Sequence, residues 1–311
     1  MVNILELKTT QASAIKIVVD AVNSLLTDAN FDFYPYYMDE ETKDANYESE
    51  SNDSSSESNK ETEFTKEYSK KEDSKKEDSK KRVGGMILKE VNKTGKILVY
   101  MRLDADKFDI YKYNYNKKKL TLGIDIGNLL KCLKCMSHFD TMTWLVDDDD
   151  INKLVIILES AERKERKTFK LNLMDIEEET YDITPIQFPY SITLPSQDFH
   201  KYCKDMAATT DKIEIKSTSN KLFFSGKGGI GNIEFEVGET NGGLSIISTT
   251  TNANEIVQGL FELKFLLIFT KCTNLCNQVT LFLKNDYPII ITYQIAALGE
   301  IKLVLSPSKA D

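Results

Sequence analysis

Pro195-Ser196-Gln197-Asp198-Phe199-His200-Lys201-Tyr202-Cys203-Lys204-Asp205-Met206 runs, after a short polar break, into Lys212-Ile213-Glu214-Ile215. Pro-Ser is a helix-start signal, and Phe199, Tyr202, Cys203 and Met206 recur at helical spacing. The next four residues alternate charged with apolar, as a half-buried strand does. The stretch therefore predicts an amphipathic helix that hands over to a hairpin. The same plan recurs three more times. Ala14, Ile17, Val18, Ala21, Val22 and Leu25 precede the strand at Phe31-Asp32-Phe33. Leu129, Leu130, Leu133 and Met136 precede strands at 141–146 and 153–158. Phe261, Phe265, Phe269 and Cys272 precede strands at 279–283 and 289–293. Four short helices, two in each half of the chain, predict an α+β fold of two similar domains. The expected boundaries are an N-terminal domain over 1–174, a linker over 175–190 and a C-terminal domain over 191–311.

One segment does not belong to this plan. Asp39 to Arg82 holds 15 acidic residues, 10 basic residues and nine serines in 44 positions, including the period-five run Lys-Lys-Glu-Asp-Ser. It is too polar to bury a core, and a disordered loop insertion is expected there. The whole chain of 311 residues carries a net charge of −9, of which the insertion accounts for −5. The foldable remainder is only mildly acidic. No stretch is long and apolar enough for a membrane span, so no membrane contact is expected and a soluble intracellular protein is anticipated. Five cysteines, an odd number scattered along the chain, argue against a disulfide framework.

The helices share a second feature. Lys16, Lys131 with Lys134, Lys201 with Lys204, and Lys264 with Lys271 fall away from the apolar stripes, the pairs three or seven residues apart and so on one side. Any one polar helix face commonly carries Lys. Four of four, in a chain with excess acid, suggest a basic surface that follows phosphates without reading bases.

Sites for chemistry are scarce. Gly226-Lys227-Gly228-Gly229-Ile230-Gly231 has strand-like sequence on both sides, which fits a hairpin turn and not a phosphate loop. The Cys132/Cys135 and Cys272/Cys276 pairs lie within helical patterns, where thiols pack as small hydrophobes. His200 and Cys203 lack a third orienting group. Asp147 to Asp150 fits a solvated turn. No catalytic, metal or cofactor site is expected.

The chain resembles the eukaryotic-type DNA sliding clamps, the proliferating cell nuclear antigen family. The resemblance is carried by Phe108-Asp109-Ile110-Tyr111, Leu129-Leu130-Lys131-Cys132-Leu133-Lys134-Cys135, Phe169-Lys170-Leu171-Asn172-Leu173-Met174-Asp175, Leu194-Pro195-Ser196-Gln197-Asp198-Phe199 and Val279-Thr280-Leu281 with Tyr287-Pro288. It implies a DNA polymerase processivity factor, a homotrimeric ring that encircles duplex DNA without sequence preference. Its partners would be a polymerase, other clients bearing a clamp-binding peptide, and a loader ATPase. The expected location is the nucleus or a viral replication compartment. By resemblance, the seven lysines face DNA. Val91, Leu98, Ile183, Pro288, Val304, Leu305 and Pro307 line the client pocket, and Phe169, Leu171, Ile233 and Phe235 bury at the subunit seam. The alternatives are a checkpoint-type heterotrimer, or a clamp-fold protein acting through its acidic insertion.

Overall fold

The computed structural model describes residues 3–38, 82–137, 140–178, 186–229, 231–249 and 255–309. The first half contains β1 (Asn3–Thr9), α1 (Ala12–Asn23), β2 (Asp28–Phe33), β3 (Tyr37–Met38), β4 (Arg82–Val83), β5 (Gly85–Val91), β6 (Ile97–Asp104), β7 (Ile110–Tyr113), β8 (Leu120–Asp125), α2 (Ile126–Lys134), β9 (Thr141–Asp147), β10 (Asp150–Ser160) and β11 (Glu165–Asn172). The second contains β12 (Tyr190–Pro195), α3 (Ser196–Ala207), β13 (Lys212–Ser217), β14 (Lys221–Gly228), β15 (Gly231–Gly238), β16 (Ser245–Ser248), β17 (Val257–Glu262), α4 (Leu263–Phe269), β18 (Gln278–Leu283), β19 (Ile289–Ile295) and β20 (Gly299–Leu305). The α+β expectation is met.

The two halves share a sheet. Nine strands run in the order β16-β12-β18-β19-β20-β6-β5-β2-β8, so the C-terminal strand of the chain pairs with the middle of its first half. The β6–β20 register runs unbroken from Gly299 opposite Leu103 to Leu305 opposite Ile97. A five-stranded sheet, β11-β10-β9-β1-β7, flanks this one in the first half, and a four-stranded sheet, β15-β14-β13-β17, in the second. Alternation along the strands assigns one face of the central sheet to the core, where Val99, Leu303 and Ile291 are completely buried in one cross-strand row. The helices cover that face: α1 packs on α2 and on the turn after α4, and α3 packs on α4.

Helix boundaries follow from local chemistry. Asp125 caps α2 by accepting the Asn128 amide at 2.6 Å. The same helix ends with Lys131 and Lys134 in its last turn, and Lys167 donates to the Cys135 carbonyl at 2.9 Å. Positive charge there also suits the helix dipole. The fourth helix departs from the sequence expectation. Phe261 belongs to strand β17, α4 covers only Leu263–Phe269, and the chain then tightens to a 3-10 helix over Thr270–Leu275. Thr270 Oγ1 donates to the Leu267 carbonyl at 2.8 Å and Thr273 Oγ1 to the Thr270 carbonyl at 2.6 Å. Those side-chain bonds reach back three residues, the 3-10 interval. In α1 the buried stripe is Ala12, Ile15, Val18, Val19, Ala21 and Val22, and Ala14 and Ile17 sit at its margin, half-buried.

Other expectations can be placed directly. Gly228 pairs with Gly231 across a β14–β15 hairpin, as the turn reading requires. Asp148 and Asp149 form an exposed turn between β9 and β10. Cys203 and Cys272 are core residues, whereas Cys135 is exposed. The expected disorder of the insertion lies outside the described residues, apart from Arg82, which starts β4 and pairs with Met38.

Leu303 sits where the halves join, so Leu303→Ala should cost about 2–5 kcal/mol. Both halves should still unfold in a single transition when denaturation is followed by tryptophan fluorescence and by circular dichroism. Separate transitions would mean that the shared sheet does not couple them.

Candidate functional site

The basic residues gather on the helical layer. Lys131, Lys134, Lys201, Lys204, Lys264 and Lys271 are exposed and Lys16 is partly so. Because α1 adjoins α2 and the 3-10 turn, and α3 adjoins α4 and that turn, the helices from both halves form one continuous surface. The lysines are not equivalent on it. Lys264 is held by Glu262 at 2.6 Å, a carboxylate that also binds Lys96 and whose pKa those two ammonium groups lower. Lys271 lies on the 3-10 turn, donates to Ser24 Oγ at 2.7 Å and sits 3.5 Å from Asp20 of α1. By contrast, Lys16, Lys131, Lys134, Lys201 and Lys204 have no ion pair among the described residues. Lys131 has only the Asn128 side-chain oxygen, at 3.0 Å. Five ammonium groups thus remain available for an external anion, while Lys264 and Lys271 are partly neutralised.

The opposite face of the nine-stranded sheet carries the predicted pocket residues. Val91 opposes Leu98, Leu98 opposes Val304, Val304 opposes Ile290, and Ile290 opposes Phe282. Directly opposed residues share a face, so these five form one apolar row across β5, β6, β20, β19 and β18. Leu305 does not join it. It is buried against the core beside Ile97 and Ile289, because adjacent strand residues point to opposite faces. Pro288 is half-buried at the start of β19 and Pro307 is exposed beyond β20. Ile183 lies outside the described residues. The sequence reading missed Ile290, Phe282 and Phe188, the last resting its ring 5.9 Å from that of Phe282. Strand register is the signal that finds the first two, since each directly opposes a neighbour in the row.

The predicted seam residues occupy two sheet edges. β11 is the outer strand of the five-stranded sheet and β15 that of the four-stranded sheet. Phe169, Ile233 and Phe235 are half-buried against the core, with Phe235 6.1 Å from the Tyr202 ring. Leu171 differs: it is buried within its own subunit, opposite Leu154 of β10. The intervening residues Lys170 on β11 and Asn232, Glu234 and Glu236 on β15 are exposed. Among the described residues, neither edge is covered by another strand of the same chain.

In the His200/Cys203 pair, Cys203 is a fully buried core residue. Burial pushes the Cys203 thiol well above its usual range, and His200 Nδ1 is engaged with Thr270 Oγ1 at 2.9 Å. Burial likewise raises Cys272 to about 12. Among the described residues no helix is long and apolar enough to cross a membrane.

The architecture is a helix-and-sheet plan repeated in the two halves, with helices on one face of the shared sheet and an apolar row on the other. The family models for the proliferating cell nuclear antigen, N-terminal domain, and the proliferating cell nuclear antigen, C-terminal domain, match residues 76–181 and 182–308. The chain belongs to the proliferating cell nuclear antigen family. The N-terminal match begins within the insertion, yet β1, α1 and β2 complete the sheets and helical layer that the matched residues form. The chain is also 29% identical over 309 residues to the "Probable DNA polymerase sliding clamp" of Acanthamoeba polyphaga mimivirus. The alignment covers 98% of this chain and 62% of that protein, so the chain spans less than two thirds of its relative.

The two faces of β20 make the pocket assignment testable. Leu305→Asp should bury an unpaired carboxylate and destabilise the fold by at least about 3 kcal/mol, whereas Val304→Asp on the outer face should cost far less. Thermal unfolding of the two variants checks this. Equal losses would mean that the outer row is core.

Proposed function

We propose that the chain is a DNA polymerase processivity factor, a sliding clamp acting as three copies closed head to tail around duplex DNA. The observation that carries this reading is the continuous helical layer with five unpaired lysines, set opposite an outer face that bears an apolar docking row. Each subunit contributes the helices of both halves to the inner wall. Lys16, Lys131, Lys134, Lys201 and Lys204 then meet phosphates as point charges, without base contacts. Lys264 and Lys271, shared with Glu262 and Asp20, contribute less. A ring retains DNA by topology, so weak, exchangeable phosphate contacts suffice, and a tight grip would oppose sliding.

Closure uses the two open edges. β11 of one copy pairs with β15 of the next, satisfying backbone groups that would otherwise invite uncontrolled strand addition. Exposed Lys170 on one edge and Glu234 on the other favour this heterologous pairing over like with like. Phe169, Ile233 and Phe235 complete their burial there.

Val91, Leu98, Val304, Ile290, Phe282, Phe188 and Pro288 receive the apolar anchors of a client peptide, with Ile183 and Pro307 assigned to the same pocket by resemblance. The clients are a polymerase and other replication or repair proteins. Tethering raises the polymerase's effective concentration at the primer end, and processivity rises with no reaction catalysed by the clamp. A loader ATPase opens the ring. The similarity to a viral clamp favours a viral replication compartment over the nucleus as the place of action.

The full chain, 35.4 kDa as a monomer, should have three times that mass in solution. It should be retained on circular duplex DNA and slip from linear DNA. Replacing Lys131, Lys134, Lys201 and Lys204 by Ala should leave the mass unchanged and weaken DNA association, reducing its salt slope by roughly 0.9 for each phosphate that is no longer neutralised. Replacing Lys264 and Lys271 should have a smaller effect. A stable monomer, or equal retention on circular and linear DNA, would overturn the reading.

A further inference from the structure

The five thiols of the chain differ in their access to solvent. Cys203 and Cys272 are fully buried, Cys132 and Cys276 are half-buried, and Cys135 is exposed. Packing as a small hydrophobe therefore accounts for Cys203 and Cys272. It does not account for the pair at the end of α2, where an exposed thiol follows a half-buried one by three residues. Cys276 is engaged elsewhere, its Sγ donating to the Gln278 carbonyl at 3.0 Å.

The backbone sets Cys132 and Cys135 one above the other. The Cys135 amide donates to the Cys132 carbonyl and the Met136 amide to the Leu133 carbonyl, both at 3.1 Å. These bonds span three residues, the 3-10 interval, at which side chains three apart eclipse. On a helix such neighbours have Cβ atoms about 5–6 Å apart, and a disulfide needs about 3.5–4.5 Å. Eclipsing removes the sideways offset, and the remaining gap lies along the axis. Cys135 can close it because it caps α2 and no helical turn continues beyond it. Its Sγ holds a weak bond to the Lys131 carbonyl at 3.6 Å, which is easily given up. Burial first, and then the neighbouring Cys135, push the Cys132 thiol up, as expected of two sulfurs in proximity. Lys131 precedes Cys132 and Lys134 precedes Cys135, both exposed and without an ion pair among the described residues. Their charge draws anionic reagents to the thiols.

We infer that Cys132 and Cys135 are a reversible oxidation site that closes to a disulfide by exchange with a small anionic disulfide such as oxidised glutathione. The Cys135 thiolate attacks one sulfur of the reagent, which forms a mixed disulfide and expels one glutathione thiolate. The Cys132 thiolate then attacks Cys135 Sγ and expels the second. Both protein thiols give up their protons, two electrons pass to the reagent, and two glutathione thiols leave. Burial of Cys132 slows the second step, but the attack is intramolecular and its nearness compensates. A bond drawn closed across such a gap carries strain and is readily reduced, which suits a regulatory pair and not a structural staple. The site stands on the geometry of α2 and does not depend on the ring reading.

The test treats the full chain, reduced and freed of reductant, with oxidised glutathione under native conditions, followed by acid quench, mass spectrometry and peptide mapping. Wild type should lose two hydrogens and carry a bond between Cys132 and Cys135 that dithiothreitol reverses. Amide exchange at Cys135 and Met136 should slow in the oxidised form. Cys132→Ser should stop at a single glutathione adduct on Cys135. Cys135→Ser should react at least about tenfold more slowly, because the remaining thiols are buried or half-buried. Combining Lys131→Gln with Lys134→Gln should slow the reaction about threefold with oxidised glutathione and leave that with neutral hydroxyethyl disulfide unchanged. A glutathione adduct that persists on wild-type Cys135 would overturn the pairing. A Cys135 that stays unreactive in the folded chain, while the unfolded chain reacts at every thiol, would overturn the site.

Discussion

The antiparallel ladder between β6 and β20 is the constraint on which the other features depend. It joins a strand from the middle of the first half to the last strand of the second, across seven opposed residue pairs. Two four- or five-stranded pieces thereby become one sheet of nine with a single inner and a single outer face. Alternation does the rest. Each residue on β5, β6, β18, β19 and β20 points either to the helices or to the outer surface, and the two populations differ in chemistry as well as direction. Without the ladder, Val91 and Leu98 would belong to one small domain and Ile290, Val304 and Phe282 to another, with no common surface.

The same ladder organises the electrostatics. Net charge is negative, and about half of the excess acid belongs to a polar insertion that leaves from the β3–β4 pair, at the opposite end of β5 from Val91. The lysines instead lie on the helical layer, which the sheet holds together beneath them. Their availability varies with local pairing: Glu262 and Asp20 claim two of them, and the helix end at α2 gives Lys131 and Lys134 a dipole to complement. A charge count over the sequence cannot resolve these differences, because the relevant quantity is which ammonium groups lack a carboxylate within a few ångströms.

Much of the fold was legible in the residues. The helical spacing of Phe199, Cys203 and Met206 and the alternation at 212–215 correspond to α3 and β13 with little error. The glycine-rich run over 226–231 read correctly as a hairpin, since strand-like sequence lay on both sides. The fourth helix was read too long, because Phe261, Phe265, Phe269 and Cys272 satisfy a helical period whether or not the backbone follows one. Thr270 and Thr273 pulled the second part into a tighter helix through bonds that periodicity does not register. Leu305 and Leu171 were assigned to surfaces from resemblance, but both are buried: Leu305 alternates with Val304 onto the core face, and Leu171 packs opposite the fully buried Leu154. Ile290 and Phe282 escaped notice because what marks them is their partner across a strand, a relation set by register.

The sequence by itself determined the helix-then-strand plan repeated in both halves, the place of the polar insertion in the chain and the residue types on each helix face. These depend on local periodicity and composition, which are properties of consecutive residues. Tertiary structure alone decided which lysines are free, which side of β20 faces outward and which thiols are buried. Each of those depends on groups far apart in the chain, brought close by the pairing of β6 with β20 and by the packing of four helices on the sheet it completes.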